Sequence, residues 1–369
     1  MRSAARLGAV LVVMGCAGTA GAAETPLTAE AINQAQFAAG PAEGAAEPGQ
    51  SASDKAEAGH EAAKETGREK AAAEKRPDPL TIRTQVLLDR AGFSPGAIDG
   101  REGDNLRGAL AGFAKAKGQA FSGRLDAAVW QALAGTSTDP AVQRYTLTEE
   151  DAAGPYAKAI PPKMEEQADL KALSYTSPAE MLAERFHMSR GLLEALNPDA
   201  VLTKAGTVIT VAAVPPMETG RIPGKELPEA PKVKRIEVDK QALQVRAYGE
   251  DGALIHLYPA SIGSEEKPAP SGTLTVEGVA FDPTYTYNPK YEFKGVEAKR
   301  KFTIKPGPNN PVGLVWIDLS GNDGYGIHGT PEPEKVGKTE SHGCIRLTNW
   351  DARDLAKHVE RGAKVDFGK

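Results

Sequence analysis

Five prolines between residues 215 and 231 (Pro215, Pro216, Pro223, Pro228 and Pro231) limit what this chain can fold into. Proline fixes φ and removes a backbone donor, so neither a helix nor a central strand can run through this stretch. It reads as a stiff linker, 215–231, with a different period on each side. Upstream, apolar residues recur at helical spacing, as at Ile82 and Val86. Downstream, 235–238, 242–248 and 253–260 alternate or run apolar between turns at Asp239-Lys240 and Gly249-Glu250-Asp251-Gly252, the pattern of a β-meander. Residues 315–319 and 325–327 read as further strands. Thr348-Asn349-Trp350-Asp351 opens a helix to about Arg361, stopped by Gly362, and 363–367 form a last strand. Residues 232–369 are therefore expected to be β-rich with one or two helices.

The upstream part is not uniform. Residues 1–23 carry Arg2 and Arg6, an apolar stretch from 7 to 17, and small residues ending in Ala20-Gly21-Ala22-Ala23. That is the order of a secretory signal, with cleavage expected near Ala22. The apolar stretch is too short to span a bilayer. Lipoprotein processing at Val13-Met14-Gly15-Cys16 is the alternative, which Met14 fits poorly. No later segment is apolar enough to cross a membrane, so the expected location is the periplasm or cell envelope. Residues 24–79 are dominated by Ala, Glu, Lys and Gly, and read as a disordered tether. The formal charge is −5, and −7 once Arg2 and Arg6 are removed with the signal. With no Lys/Arg cluster, this balance argues against a nucleic-acid partner.

Two small units precede the linker. In 80–135, a helix stopped by Gly92 is followed by a turn-rich segment through Ile98-Asp99-Gly100, then by helices over 105–115 and 125–133. In 171–214, Ser177-Pro178-Ala179-Glu180 is a capping box with Pro at the first helical position. Leu182 and Phe186 then share a face. Ser189 caps a second helix that ends at Asn197 before Pro198, and 206–211 form a strand.

The chain has two cysteines, Cys16 and Cys344. Loss of Cys16 with the signal would leave Cys344 without an intramolecular disulfide partner, so it is buried and inert, paired with another molecule, or chemically used. It stands in Ser341-His342-Gly343-Cys344-Ile345-Arg346, with Gly326-Ile327-His328-Gly329-Thr330 upstream. A free thiol is mostly protonated at neutral pH, and a neighbouring imidazole can take its proton. His342 is close in sequence, but so short a spacing in an extended turn tends to point side chains apart. His328 comes from a separate strand end between small residues, where the Gly329 carbonyl could orient the ring. Gly343 permits a turn that aims backbone N–H groups at a developing oxyanion. The set has the parts of an acyl-transfer site. A zinc site on His328, His342 and Cys344 is the alternative, and lacks a companion cysteine pair. His60, His187, His256 and His358 belong to no motif and read as surface or packing residues.

The run from Pro306-Gly307-Pro308-Asn309-Asn310-Pro311 through His328-Gly329-Thr330 to Ser341–Arg346, with Pro268-Ala269-Pro270-Ser271-Gly272-Thr273 before it, resembles the L,D-transpeptidase (YkuD) catalytic domain over about 233–368. The resemblance implies a multidomain protein with a β-rich, sandwich-like catalytic fold. It also implies Cys344 as nucleophile, His328 as proton acceptor and donor, and the Gly329 carbonyl as orienter. His342, Gly343 and Arg346 would shape the site. Tyr325, Ser341, Arg346 and Asn349 are the candidate substrate contacts, Asn349 also standing at a helix start.

The implied reaction is attack on the bond before D-Ala in a peptidoglycan tetrapeptide stem, release of D-Ala, and a 3→3 cross-link to a second stem. L,D-carboxypeptidase action, protein anchoring to peptidoglycan and a non-catalytic wall-binding role are the alternatives. No cofactor or metal is implied, and carbapenem acylation is an expectation. The 80–135 unit resembles a peptidoglycan-binding-like helical domain through Gln85, Leu88, Gly92, Ile98-Asp99-Gly100, Gly103, Ala109-Leu110, Phe113, Gly123 and Leu133, with Ala114 where Gln is common. The 171–214 unit resembles a LysM domain, a glycan-binding βααβ fold.

Overall fold

The computed structural model describes residues 27–38, 76–218, 232–264, 267–291, 298–321, 324–338 and 343–368. The signal segment at 1–23 and most of the linker at 215–231 lie outside the described residues.

The first unit is helical where the periodicity placed helices. Helix α1 (Ala29–Gln34) precedes α2 (Pro79–Arg90), α3 (Asp104–Ala116) and α4 (Ala127–Ala134). The Asp78 carboxylate accepts the Thr81 N–H at 2.8 Å, Pro79 opens α2, and Gly92 takes φ 84° just beyond its end. Helix α1 corrects the expected tether at 24–79. Thr28 caps it, and the Asn33 amide exchanges two hydrogen bonds with the Val142 backbone, at 3.1 and 2.9 Å. Ile32 is fully buried in one cluster with Ile82, Val86 and Val142. The average composition of 24–79 hid the few apolar side chains, Leu27, Ile32 and Phe37, that fold this piece onto the helices. Residues 39–75 of the expected tether lie outside the described residues.

The second unit begins earlier than 171. Its strand β1 (Val142–Thr146) pairs antiparallel with β2 (Val208–Ala212), Val142 opposite Ala212. Between them come α5 (Glu149–Ala153), α6 (Met164–Gln167), α7 (Pro178–Arg185) and α8 (Arg190–Leu196). Ser177 and Ser189 cap α7 and α8 by accepting from Glu180 and Leu192. The Glu180 carboxylate bonds the Thr176 backbone rather than Ser177, and its other oxygen accepts from Asn309 at 2.8 Å. The expected capping box thus becomes a tie to a distant loop.

The catalytic part contains β3 (Val233–Asp239), β4 (Gln244–Tyr248), β5 (Leu254–Pro259), β6 (Ser261–Ile262), β7 (Gly272–Phe281), β8 (Tyr285–Tyr287), β9 (Phe302–Ile304), β10 (Val315–Leu319), β11 (Gly326–His328), β12 (Ile345–Arg346), α9 (Asn349–His358) and β13 (Val359–Phe367). The main sheet has the order β5-β4-β3-β13-β7-β10-β11-β12-β6. Residues 272–275 of β7 pair with β13, while 276–281 pair with β10, so β7 passes from one half of the sheet to the other. Val238, Val276, Ile317, Ile327, Ile345 and Val365 fill the core of this part. Helix α9 stops at His358, short of the expected Arg361. Val359 already pairs with Val233, and Gly362, at φ 88°, lies within the register shift before Lys364.

The units are stitched together by backbone bonds. Leu257 of β5 receives the Ser94 N–H and donates to the Gly92 carbonyl, both at 2.8 Å. Ile98 bonds His187 and Ser189 in the same way. His187, itself at φ 53°, joins three elements. Its Nδ1 lies 2.8 Å from Asp89 of α2, its ring stacks on Trp350 at 4.4 Å, and its Nε2 lies 3.3 Å from the Thr348 hydroxyl that caps α9. Burial opposes its protonation, but Asp351 and Asp89 more than offset this and raise its pKa. Burial pushes the Asp351 carboxyl up to about 6. The carboxyl of Glu184, enclosed with Asn349 and Tyr175, is pushed up to about 8 by burial.

The signs agree. A carboxyl raised in the folded state binds protons that the unfolded chain releases, so its contribution is lost as pH rises toward the folded value. For Glu184 that window runs from 4.5 to about 8. A raised His187 likewise loses its contribution as pH rises through its folded value. The expected outcome is a melting temperature that falls from pH 5 to pH 8. In Glu184→Gln the fall is smaller, and the variant gains upward of about 1 kcal/mol over the parent at the alkaline end. Thermal melts across this pH range check it, and parallel pH profiles for the two proteins would rule it out.

Candidate active site

The site is built on two short parallel strands. In β11 and β12, Ile327 pairs with Ile345 and His328 with Arg346. Both isoleucines are fully buried in the core. Side chains alternate along a strand, so Gly326, His328, Cys344 and Arg346 belong to the opposite face. One step back along the ladder sets Cys344 beside Gly326, whose backbone hydrogen-bonds the thiol. The Leu347 N–H donates to the His328 carbonyl at 2.8 Å and locks the pairing.

His328 is 4% exposed. Its Nδ1 lies 2.7 Å from the Gly329 carbonyl. A carbonyl only accepts, so Nδ1 carries the proton and Nε2 keeps the lone pair that a base needs. The ring stacks on Trp316 at 5.5 Å and 19°. Trp316 in turn donates from Nε1 to Asp318 at 3.1 Å. A side chain at Gly326 would collide with this indole, its Cβ falling 2.5 Å from Cζ2.

Behind His328 stands Asn349. It is fully buried, its Oδ1 accepts the Leu314 N–H at 3.0 Å, and its Nδ2 donates to the Pro308 carbonyl at 3.1 Å. A Cβ at Gly329 would lie 2.1 Å from that Oδ1. The expectation that Asn349 contacts substrate is therefore corrected. Its amide is used up in holding the 308–314 loop and the backbone that orients His328. Trp316 is the residue beside His328 that sequence reasoning missed, and Asn349 was assigned the wrong role. Trp316 sits opposite His328 across β10 and β11, a register that only the folded pairing defines.

Cys344 is partly buried and forms no disulfide among the described residues. Gly343 takes φ 100°, and a Cβ there would meet the Tyr325 ring at 3.3 Å and the Pro268 carbonyl at 3.7 Å. Tyr325 and the 267–268 segment thus flank the cysteine turn. Ser341 and His342 lie outside the described residues. Arg346 is partly buried on the His328 side, with Glu332 and Tyr285 among its charged or titratable neighbours. Burial pushes the Cys344 thiol up, against a backbone hydrogen bond from Gly326 and the charge of Arg346. Burial, and then Arg346, push His328 down to about 3, with the Gly329 carbonyl opposing. Both shifts favour the neutral forms, a protonated thiol and an unprotonated imidazole. Where a neutral thiol and imidazole meet, the proton leaves sulfur during nucleophilic attack.

Residues 233–366 match the family model of the L,D-transpeptidase catalytic domain, YkuD. Residues 78–133 match the family model described as "Putative peptidoglycan binding domain". "Putative L,D-transpeptidase YkuD" of Bacillus licheniformis is 33% identical over 133 residues, covering 36% of this chain and 64% of that protein. "Probable L,D-transpeptidase YbiS" of Escherichia coli strain K12 is 28% identical over 197 residues, covering 52% of this chain and 60% of that protein. The chain thus spans less than two thirds of the length of these relatives. Among solved structures, L,D-transpeptidase 3 from Mycobacterium tuberculosis, with a faropenem-derived adduct, aligns at TM-score 0.31 and 16% identity over 45% of this chain and 75% of that one. An L,D-transpeptidase from Mycobacterium smegmatis aligns at TM-score 0.31 and 18% identity over 44% and 74%. The part after the linker is a β-rich catalytic domain of the YkuD type, as the sequence resemblance implied.

A protonated resting thiol predicts slow alkylation of Cys344 at neutral pH, with a rate still climbing above pH 9.0. Iodoacetamide kinetics followed by mass would show it, and a rate already on its plateau at pH 7 would contradict the neutral pair. Gly329→Ala is expected to displace Asn349 and turn the His328 ring, lowering acylation by a carbapenem at least about tenfold.

Proposed function

We propose that this chain is an exported cysteine L,D-transpeptidase that remodels peptidoglycan, with Cys344 as nucleophile and His328 as proton carrier. The observation that carries the reading is the parallel pairing of β11 with β12. With the Nδ1 of His328 tied to Gly329 and Cys344 one residue before β12, this pairing supports a reading in which thiol and imidazole act on one face of the sheet. The matches of residues 233–366 and 78–133 to a catalytic and a wall-binding family support the substrate class.

Cys344 Sγ attacks the carbonyl that precedes the terminal D-Ala of a tetrapeptide stem, and its proton passes to Nε2 of His328. The oxyanion takes hydrogen bonds from backbone N–H groups of the Gly343–Cys344 turn. Collapse breaks the C–N bond, and the imidazolium returns its proton to the departing D-Ala amine. A thioester remains on Cys344. An amine from a second stem attacks it, His328 takes the amine proton, and the thiol is restored with a 3→3 cross-link formed. An imidazolium of depressed pKa is a strong acid for the leaving amine, which suits the expulsion step. Arg346, Tyr325 and Ser341 hold the stem, Arg346 through a carboxylate. His342 shapes the turn. The helical unit, and the second unit in its LysM-like reading, hold the glycan strand near the site and raise the local stem concentration. Secretion by the 1–23 signal brings the enzyme to its substrate.

Digestion of purified tetrapeptide muropeptides, with products identified by mass, tests this. The expected products are D-Ala and 3→3-linked dimers. D-Ala release without dimers would instead assign a carboxypeptidase. Cys344→Ala is expected to abolish both the dimers and the mass increase on carbapenem exposure while the melt is retained. His328→Ala should lose about 10²–10⁴ in rate, and His342→Ala less. Full activity in Cys344→Ala would sink the mechanism, and the reverse order of the two histidine variants would reassign the base.

A further inference from the structure

We propose that His256, Asp354 and His358 form a binding site for a divalent transition-metal cation, best matched by zinc, at the seam between the helical unit and the catalytic domain. One ligating atom from each of the three lies within 4.8 Å of the others. Among the described residues this is the cluster with the ligand types and spacing for such an ion, and it is separate from Cys344 and His328. Two imidazoles and one carboxylate are a donor set that zinc takes, with water completing a tetrahedron.

Three details of the geometry point to a cation rather than to packing alone. First, His256 Nδ1 stands 3.4 Å from Asp354 Oδ2, yet this buried nitrogen has no aligned hydrogen-bond partner. Zinc bonds of about 2.0–2.1 Å place two tetrahedral ligands about 3.3 Å apart. The observed separation is therefore the edge of a metal site and a poor hydrogen bond. Second, the ligands are oriented by groups around them. Tyr258 donates to Asp354 Oδ2 at 2.7 Å, and His358 Nδ1 bonds the Asp354 carbonyl at 2.7 Å, which leaves its Nε2 as an acceptor. Such outer contacts fix the tautomer and direction of metal ligands.

Third, Asp354 and His358 are one helical turn apart at the end of α9, so both reach the same point, and the partial negative charge of a helix C-terminus favours a cation there.

The location gives the ion a role. His256 lies in β5, whose next residue, Leu257, bonds Gly92 and Ser94 of the first unit. Gly92, at φ 84°, lies so close that an added Cβ would be 3.1 Å from His256 Nδ1. A cation here clamps β5 to the last turn of α9 directly beneath the helical unit. The same helix begins with Asn349, which supports the backbone around His328. The ion is a structural clamp, and the proposal does not depend on the transpeptidase reading.

The test uses the full mature chain without an affinity tag, in a Cys344→Ser background so that the thiol cannot supply metal binding. Zinc is titrated against a chromophoric chelator, and cobalt absorption reports the coordination geometry. The expected result is about one equivalent of zinc per chain, tetrahedral cobalt bands, and a melting temperature that rises with zinc. His358→Gln and His256→Gln, checked as folded by melts in chelator, should each weaken binding at least about tenfold and lose the zinc-dependent rise. No zinc bound at micromolar free metal, or equal binding in both folded variants, would overturn the proposal. If one variant fails to fold in chelator, the other still decides.

Discussion

The imidazole of His187 is the contact on which the arrangement of units depends. It is 2% exposed, and it faces a carboxylate from α2, an indole from α9 and the hydroxyl that caps α9. Two acids and one imidazole in a dry seam are acceptable only if they share charge, because an unpaired buried ion costs several kcal/mol. Removing any one would strand the others. That makes the seam specific: Asp89, His187 and Asp351 must all be present and in register before the N-terminus of α9 can settle. Once it settles, Asn349 is fixed, and with it the loop that carries Leu314 and the backbone at Gly329. The units upstream of the linker therefore act as a buttress of the catalytic domain. They share cores with it, as Phe93 and Leu257 do, and are not beads on a flexible string.

What could be read from the sequence follows the range of the interactions involved. Caps at Ser177 and Ser189 were legible because a side chain and its N–H partner lie within three residues. The candidate pair stood out because His328 lies between Gly326 and Gly329 and Cys344 directly follows Gly343. The support given by Trp316 and Asn349 could not be read. Trp316 stands opposite His328 across β10 and β11, and Asn349, marked in sequence only as a helix start and candidate contact, holds Leu314 and Pro308 through contacts that exist only in the folded chain. Strand β7 was missed for a different reason. Its two halves pair in different parts of the sheet, so no single alternation of apolar residues runs along it, and Gly272 and Gly278 weaken the pattern further. Helix α1 was hidden because a composition average over 24–79 does not register one isoleucine in the right place.

The electrostatics of the reactive pair follow from the same dryness. Burial works against both charged forms, raising the thiol and lowering the imidazole, and Arg346 then adds to the effect on His328 while easing that on Cys344. A preformed thiolate–imidazolium pair is therefore unstable at rest. The thiolate is the form that oxidants and disulfides attack, so a protonated Cys344 is protected while no substrate is bound. On the transpeptidase reading, the sulfur stays protonated at rest and His328, its Nδ1 tied to Gly329, offers Nε2 as the base. Proton transfer is thereby coupled to bond formation, where the charge that develops on the carbonyl oxygen can be met by backbone N–H groups. On this argument the glycines on either side of the pair matter as much as the reactive atoms. Gly326 makes room for the indole under His328, Gly329 makes room for Asn349, and Gly343 holds the positive φ that turns the backbone at Cys344.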